Sequence, residues 1–162
     1  MTFTIQPFNA VHTDGIKGLI VPIQQNEFGI DITYDAQPDL KDIEGFYFAG
    51  NGCFWVALDE ANGNAIGCIA LKDIGNAQGA LRKMFVAQNS RGKSGVSQAL
   101  LETLLAHAKK NNFSEIYLGT TVKFLAAHRF YEKNGFLLVD ASALPEAFPR
   151  MDVDTRFYKI GL

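Results

Sequence analysis

Arg91-Gly92-Lys93-Ser94-Gly95 sets two cations and two glycines in one short stretch. Val96, Leu100, Leu101, Leu104, Leu105 and Ala108 follow at helical spacing and make one apolar face. Glycines in such a loop let successive backbone N–H groups turn towards one point at the start of a helix, and the helix dipole favours an anion there. The stretch therefore predicts a seat for a phosphate or diphosphate. A nucleotide-binding P-loop is excluded, because the first glycine of that motif would fall at Ala87.

The other chemistry-bearing residues are dispersed. His12, His107 and His128 stand far apart, and Cys53 and Cys68 lie in apolar strand-like runs without ligand spacing. No metal is expected, the cysteines read as buried and reduced, and His107 and His128 read as surface or boundary residues on helices. Glu27 and Asp31 sit in the irregular segment QQNEFGIDITY. Arg82, Lys83 and Arg150 could meet an acidic substrate group, although each also reads as an ordinary surface cation.

These residues must be positioned by a chain of 162 residues, which fits a single domain over 1–162. Thirteen Phe and five Tyr predict an aromatic-rich core or pocket. A net charge of −2 offers no general attraction to nucleic acid or to an anionic membrane. The absence of a charged leader and of a long apolar run makes a cytoplasmic protein the simplest expectation.

Phe3–Gln6 reads as a first strand. Asn9 or Thr13 offers an N-cap for a helix through Ile23, which Pro22 should kink or divide. Pro38 starts a helix to about Phe48. Cys53–Leu58, Ile66–Leu71 and Ala80–Val86 read as an antiparallel meander, its first turn at Asn62-Gly63-Asn64. The helix after the basic loop runs to about Asn111. Then come a strand over Ser114–Gly119, a helix capped by Thr120 or Thr121 and closed at Asn134-Gly135, and final strands Phe136–Val139 and Thr155–Ile160. This order predicts an α/β (α+β) domain on a mixed, largely antiparallel sheet flanked by helices.

Two separated segments carry a family resemblance. Val86-Ala87-Gln88-Asn89-Ser90-Arg91-Gly92-Lys93-Ser94-Gly95-Val96-Ser97, followed by Leu100-Leu101, resembles the V-x-P-x-Y-R-G-x-G-I-G signature of the GNAT superfamily of acyl-CoA N-acyltransferases. Ala127-His128-Arg129-Phe130-Tyr131-Glu132-Lys133-Asn134-Gly135-Phe136 resembles that family's A-x-x-F-Y-x-K-x-G-F segment. The resemblance spans about 52–136. Departures are the extra Ser94, Ser97 for a glycine, Gln88 and Ser90 for the proline and tyrosine, and Phe124 where an asparagine often contacts the cofactor.

The resemblance implies a splayed strand pair with acetyl-CoA in the gap. Phe85 and Val86 would pair with the pantetheine arm, the backbone of Arg91, Gly92, Lys93, Ser94, Gly95, Val96 and Ser97 would hold the diphosphate, and Thr121 would offer a polar contact. It also implies direct acetyl transfer to an amine of a small molecule or a peptide, with Tyr131 as proton donor to the departing thiolate. An alkylammonium must first lose a proton, at a cost of about 4.6 kcal/mol at pH 7. The family's usual glutamate base has no counterpart in Ala80-Leu81-Arg82-Lys83, which leaves Glu27 or Asp31, directly or through water. The segments Gln25–Asp35 and Ala141–Asp154, with Phe28, Tyr34 and Phe148, are the expected acceptor walls. A non-catalytic acyl-CoA-binding or ligand-sensing protein on the same fold is the alternative. Exposed sheet edges would permit a homodimer.

Overall fold

The computed structural model of the chain describes residues 2–162, and of Lys93 the backbone. Strands β1 (Phe3–Pro7), β2 (Cys53–Asp59), β3 (Ala65–Gly75) and β4 (Gln78–Val86) pair antiparallel in turn. Strand β5 (Glu115–Thr120) joins β4 in parallel, and β7 (Arg156–Gly161) lies between β5 and β6 (Leu137–Val139). The result is one seven-stranded sheet, ordered β1-β2-β3-β4-β5-β7-β6.

Alternation along β2 sends Cys53, Trp55 and Ala57 to one face and Phe54 and Val56 to the other. Both faces are apolar because helices cover both. Helix α1 (Thr13–Pro22) and the short helices α2 (Pro38–Lys41) and α3 (Ile43–Tyr47) pack on one side. Helices α4 (Val96–Lys110) and α5 (Leu125–Lys133) pack on the other. Leu100, Leu101, Leu104 and Ala108 of α4 are fully buried, as their spacing predicts.

Asn9 caps a short 3-10 turn, and His12 completes a capping box by bonding back to the Asn9 N–H. Pro22 divides the following helix: α1 ends there and one π-helical turn follows over Ile23–Glu27. The segment expected as one helix from Pro38 is in fact broken at Asp42, whose backbone (φ −142°, ψ 69°) is not helical. The Asp42 carboxylate instead accepts the Gly45 N–H at 3.0 Å and caps α3. Helix α5 starts after Phe124, later than a threonine cap at 120 or 121 would place it. Among the described residues no helix is long and apolar enough to cross a membrane.

Candidate active site

Strands β4 and β5 pair only where Gln78–Ala80 faces Glu115–Tyr117, and beyond that point they part. The remaining lengths of both strands diverge towards Val86 and Thr120. A bulge lies in the divergent part of β4. Cys68 pairs with Phe85 and Ala70 with Arg82, so Lys83 and Met84 together oppose Ile69. Lys83 takes a left-handed backbone (φ 51°), which bends the strand.

The extra residue also places Arg82 and Lys83 on the same face of the sheet. Arg82 lies over the Phe46 ring, 5.4 Å from its centre. Lys83 is buried, contrary to its reading as a surface cation. Its Nζ donates to Gln37 Oε1 at 2.6 Å and lies 3.5 Å from Asp39 Oδ2, which accepts the Tyr47 hydroxyl at 2.5 Å. Burial lowers the Lys83 pKa against the pull of Asp39. Gln37 and Gln24 exchange two amide hydrogen bonds, of 2.9 and 3.0 Å, tying α2 to the π turn.

The divergence encloses about 110 Å³ between Leu81–Phe85 of β4 and Leu118–Thr120 of β5, with Thr121 just beyond it. Both expected walls contribute to it, Ile30 and Ile32 from the first and Phe148 and Asp154 from the second. Phe28 packs edge-on against Phe124, their ring centres 4.4 Å apart, and its carbonyl accepts from Lys123 Nζ at 3.3 Å. Tyr34 turns to α2 and donates to the Leu40 carbonyl.

Of the residues expected from the sequence to bind the cofactor or act in catalysis, Phe85, Thr121 and Tyr131 meet in this cleft. Tyr131 is buried among Phe130, Phe136 and Tyr158. Its hydroxyl has no hydrogen-bond partner among the described residues, and burial raises its pKa, so it keeps its proton. The Thr121 carbonyl accepts from His128 Nε2 at 2.9 Å. His128 is therefore a buried tether between α5 and the strand end, rather than a surface or boundary residue.

The basic loop continues from the open end of the cleft. Gly92 (φ 77°) and Gly95 (φ 79°) both take the left-handed conformation that glycine tolerates best. No side chain of the described residues caps α4, so its first-turn N–H groups remain free to meet an anion. A cradle of this kind fits a diphosphate. The Lys93 side chain lies outside the described residues, and the Ser94 hydroxyl donates to the Ser90 carbonyl. Arg91 bonds the Val86 carbonyl at 2.9 Å and forms a two-pronged ion pair with Glu27.

Glu27 is thus engaged outside the cleft. The Arg91 hydrogen bonds hold its carboxyl below the usual carboxylate range, which disfavours accepting a further proton. Asp31 does not line the cleft. The carboxylate that does is Asp154, expected from the sequence only as the end of an acceptor wall. Asp154 is buried, its Oδ2 accepting the Met151 N–H at 3.0 Å. Burial pushes its carboxyl up, against the Met151 N–H and the charges of Arg82, Arg150 and Lys83. Only the folded chain brings it to β5: a Cβ at Gly119 would stand 2.7 Å from Asp154 Oδ2. Among the described residues no group of three or more His, Cys, Asp or Glu could hold a metal ion.

The family model for the acetyltransferase (GNAT) family matches residues 21–136, and the chain belongs to that family. A GNAT-family acetyltransferase from Staphylococcus aureus Mu50 superposes with a TM-score of 0.95 at 38% identity, covering 99% of each chain. An acetyltransferase from Streptococcus agalactiae 2603 gives a TM-score of 0.92 at 31% identity over 99% of this chain and 98% of that one. The N-acetylaspartate synthetase of Xenopus tropicalis is 43% identical over 102 residues, which are 60% of this chain and 36% of that protein. The chain thus matches about a third of the length of such relatives.

Proposed function

We propose that the protein is an acetyl-CoA-dependent N-acetyltransferase, its 162 residues forming one acyltransferase domain, and that its acceptor is a small amine carrying a carboxylate. The observation that carries this reading is the parting of β4 and β5 beyond Ala80 and Tyr117, with an uncapped helix start at its open end. Phe85 and Val86 supply the strand edge against which a pantetheine arm pairs. The amides from Arg91 to Ser97 hold the diphosphate, with Arg91 adding charge, and Thr121 lies across the gap. Acetyl-CoA, when bound, supplies an acyl carbon activated as a thioester. Tyr131 gives its proton to the departing sulfur. Glu27 is assigned no proton transfer, because Arg91 occupies its oxygens.

Arg82 supports the anionic acceptor. It lines the cleft, makes no ion pair among the described residues, and lies on the same face as buried Lys83. A guanidinium offers a paired set of donors that matches a carboxylate. The name of the synthetase relative points to the same substrate chemistry.

Thiol release from acetyl-CoA tests the proposal with a panel of aspartate, glutamate, their side-chain amides, putrescine and a lysine peptide. The expected result is the highest kcat/KM on a carboxylate-bearing amine. Preference for putrescine or the peptide would overturn the acceptor class. CoA binding without turnover on any amine would favour a ligand sensor.

A further inference from the structure

We propose that Asp154 takes the proton from the acceptor's ammonium, a role that rests on the amine-acetylation reading above. Among the described residues it is the sole carboxylate lining the cleft it shares with Tyr131. Oδ2 is fixed by the Met151 N–H, whereas Oδ1 makes no hydrogen bond with the described residues and is not sealed from solvent. The next residue is pinned as well, since the Thr155 N–H donates to the Thr120 carbonyl at 2.9 Å. The carboxylate is thereby held against the divergent half of β5, where Gly119 leaves it room.

Proton affinities favour the same assignment. The charged groups facing Asp154 are Arg82 and Lys83 on β4 and Arg150 in its own loop. None forms an ion pair with it; Lys83 is paired with Asp39 instead. Burial raises the proton affinity of the carboxyl in spite of these charges. The surrounding Ile30, Phe148, Met151 and Val153 make the cleft costly for an ammonium too, which lowers the acceptor's own pKa. The two values therefore move towards each other.

The acceptor nitrogen sheds two protons as its bond to the acyl carbon forms and the C–S bond breaks. Asp154 takes the first and returns it to water after turnover. The second replaces the proton that Tyr131 gives to sulfur. Both residues end as they began, and one proton is released per acetyl group transferred.

Asp154→Asn keeps the shape of the side chain and an oxygen for the Met151 N–H. It should lower kcat/KM on the best amine of the panel by about a hundredfold or more, within the range for a lost general base. The acid limb of the kcat/KM–pH profile should disappear with it, while CoA affinity by calorimetry stays within about twofold. Asp154→Glu should restore part of the rate and an acid limb at a shifted pH. The proposal is overturned if Asp154→Asn keeps kcat/KM within about threefold of the parent, keeps the acid limb, or weakens CoA binding more than about tenfold, which would mark a structural role. Turnover that survives the substitution removes this proposal alone. A parent protein that acetylates no amine of the panel removes it together with the reading it rests on.

Discussion

Arg91 grips Glu27 with both terminal nitrogens, Nη1 to Oε2 at 2.5 Å and Nη2 to Oε1 at 2.7 Å, joining residues 64 positions apart. The pair ties the π turn after α1 to the loop before α4. It also partly neutralises the one loop cation whose side chain is described. A diphosphate seated on that loop must compete with Glu27 for the same guanidinium.

Glu27→Gln should therefore tighten CoA binding by about threefold at low salt, in keeping with the modest worth of a partly exposed ion pair. The gain should shrink as salt rises. Calorimetry across an ionic-strength series checks this. A fall in kcat/KM of a hundredfold with unchanged CoA affinity would instead make Glu27 the base.

Tyr131→Phe separates chemistry from packing. The hydroxyl has no partner among the described residues, so its removal should change stability by no more than about 0.5 kcal/mol. Turnover should fall by about ten- to a hundredfold if the phenol protonates the leaving thiolate, with CoA affinity unchanged. Thermal melts, calorimetry and thiol release on one preparation decide it.

Asp154 should make stability depend on pH in a direction opposite to most carboxylates. Its folded pKa lies above the ordinary value of 3.8, so the folded state binds its proton more tightly than the unfolded state does. That favours folding in full below pH 3.8 and is lost as pH rises through the folded pKa. Asp154→Asn should consequently melt above the parent at neutral pH, with the gap closing towards pH 3.8. A variant that melts lower at neutral pH would contradict the sign.

Gly119→Ala tests the same carboxylate from across the cleft. The added methyl would stand 2.7 Å from Asp154 Oδ2 and 3.1 Å from Phe157 Cε1, so the carboxylate must shift. Turnover should fall about tenfold or more while CoA affinity holds, because a misplaced base loses reactive alignment. Unchanged turnover would mean that the position of Asp154 does not matter.

Much of the architecture was readable because it rests on periodicity. Val96 to Ala108 shows its apolar stripe in the spacing alone, and the meander from Cys53 to Val86 is punctuated by turns. The final strands expected at Phe136–Val139 and Thr155–Ile160 form at Leu137–Val139 and Arg156–Gly161. The break at Asp42 was missed because a residue that can sit inside a helix here caps the next one. Lys83 looked like a surface cation because only a bulge turns two successive side chains to one face. Asp154 gave no signal, since its environment is made by Gly119, distant in sequence, and by burial that no local pattern carries. The Glu27 ion pair has no local signature either, because its partner Arg91 lies 64 positions along the chain.

The bulge at Lys83 and Met84 leaves Leu81, Met84 and Val86 on the α4 side, and Arg82, Lys83 and Phe85 towards α1–α3. Deleting Lys83 alone would give an unbroken alternation with every other side chain on its present side. The interior would lose the cation that Asp39 and Gln37 hold. What would vanish is the left-handed step at Lys83, which bends β4 in the half that parts from β5. In this chain, a single inserted amino acid separates a regularly alternating strand from one that bends where its neighbour leaves it.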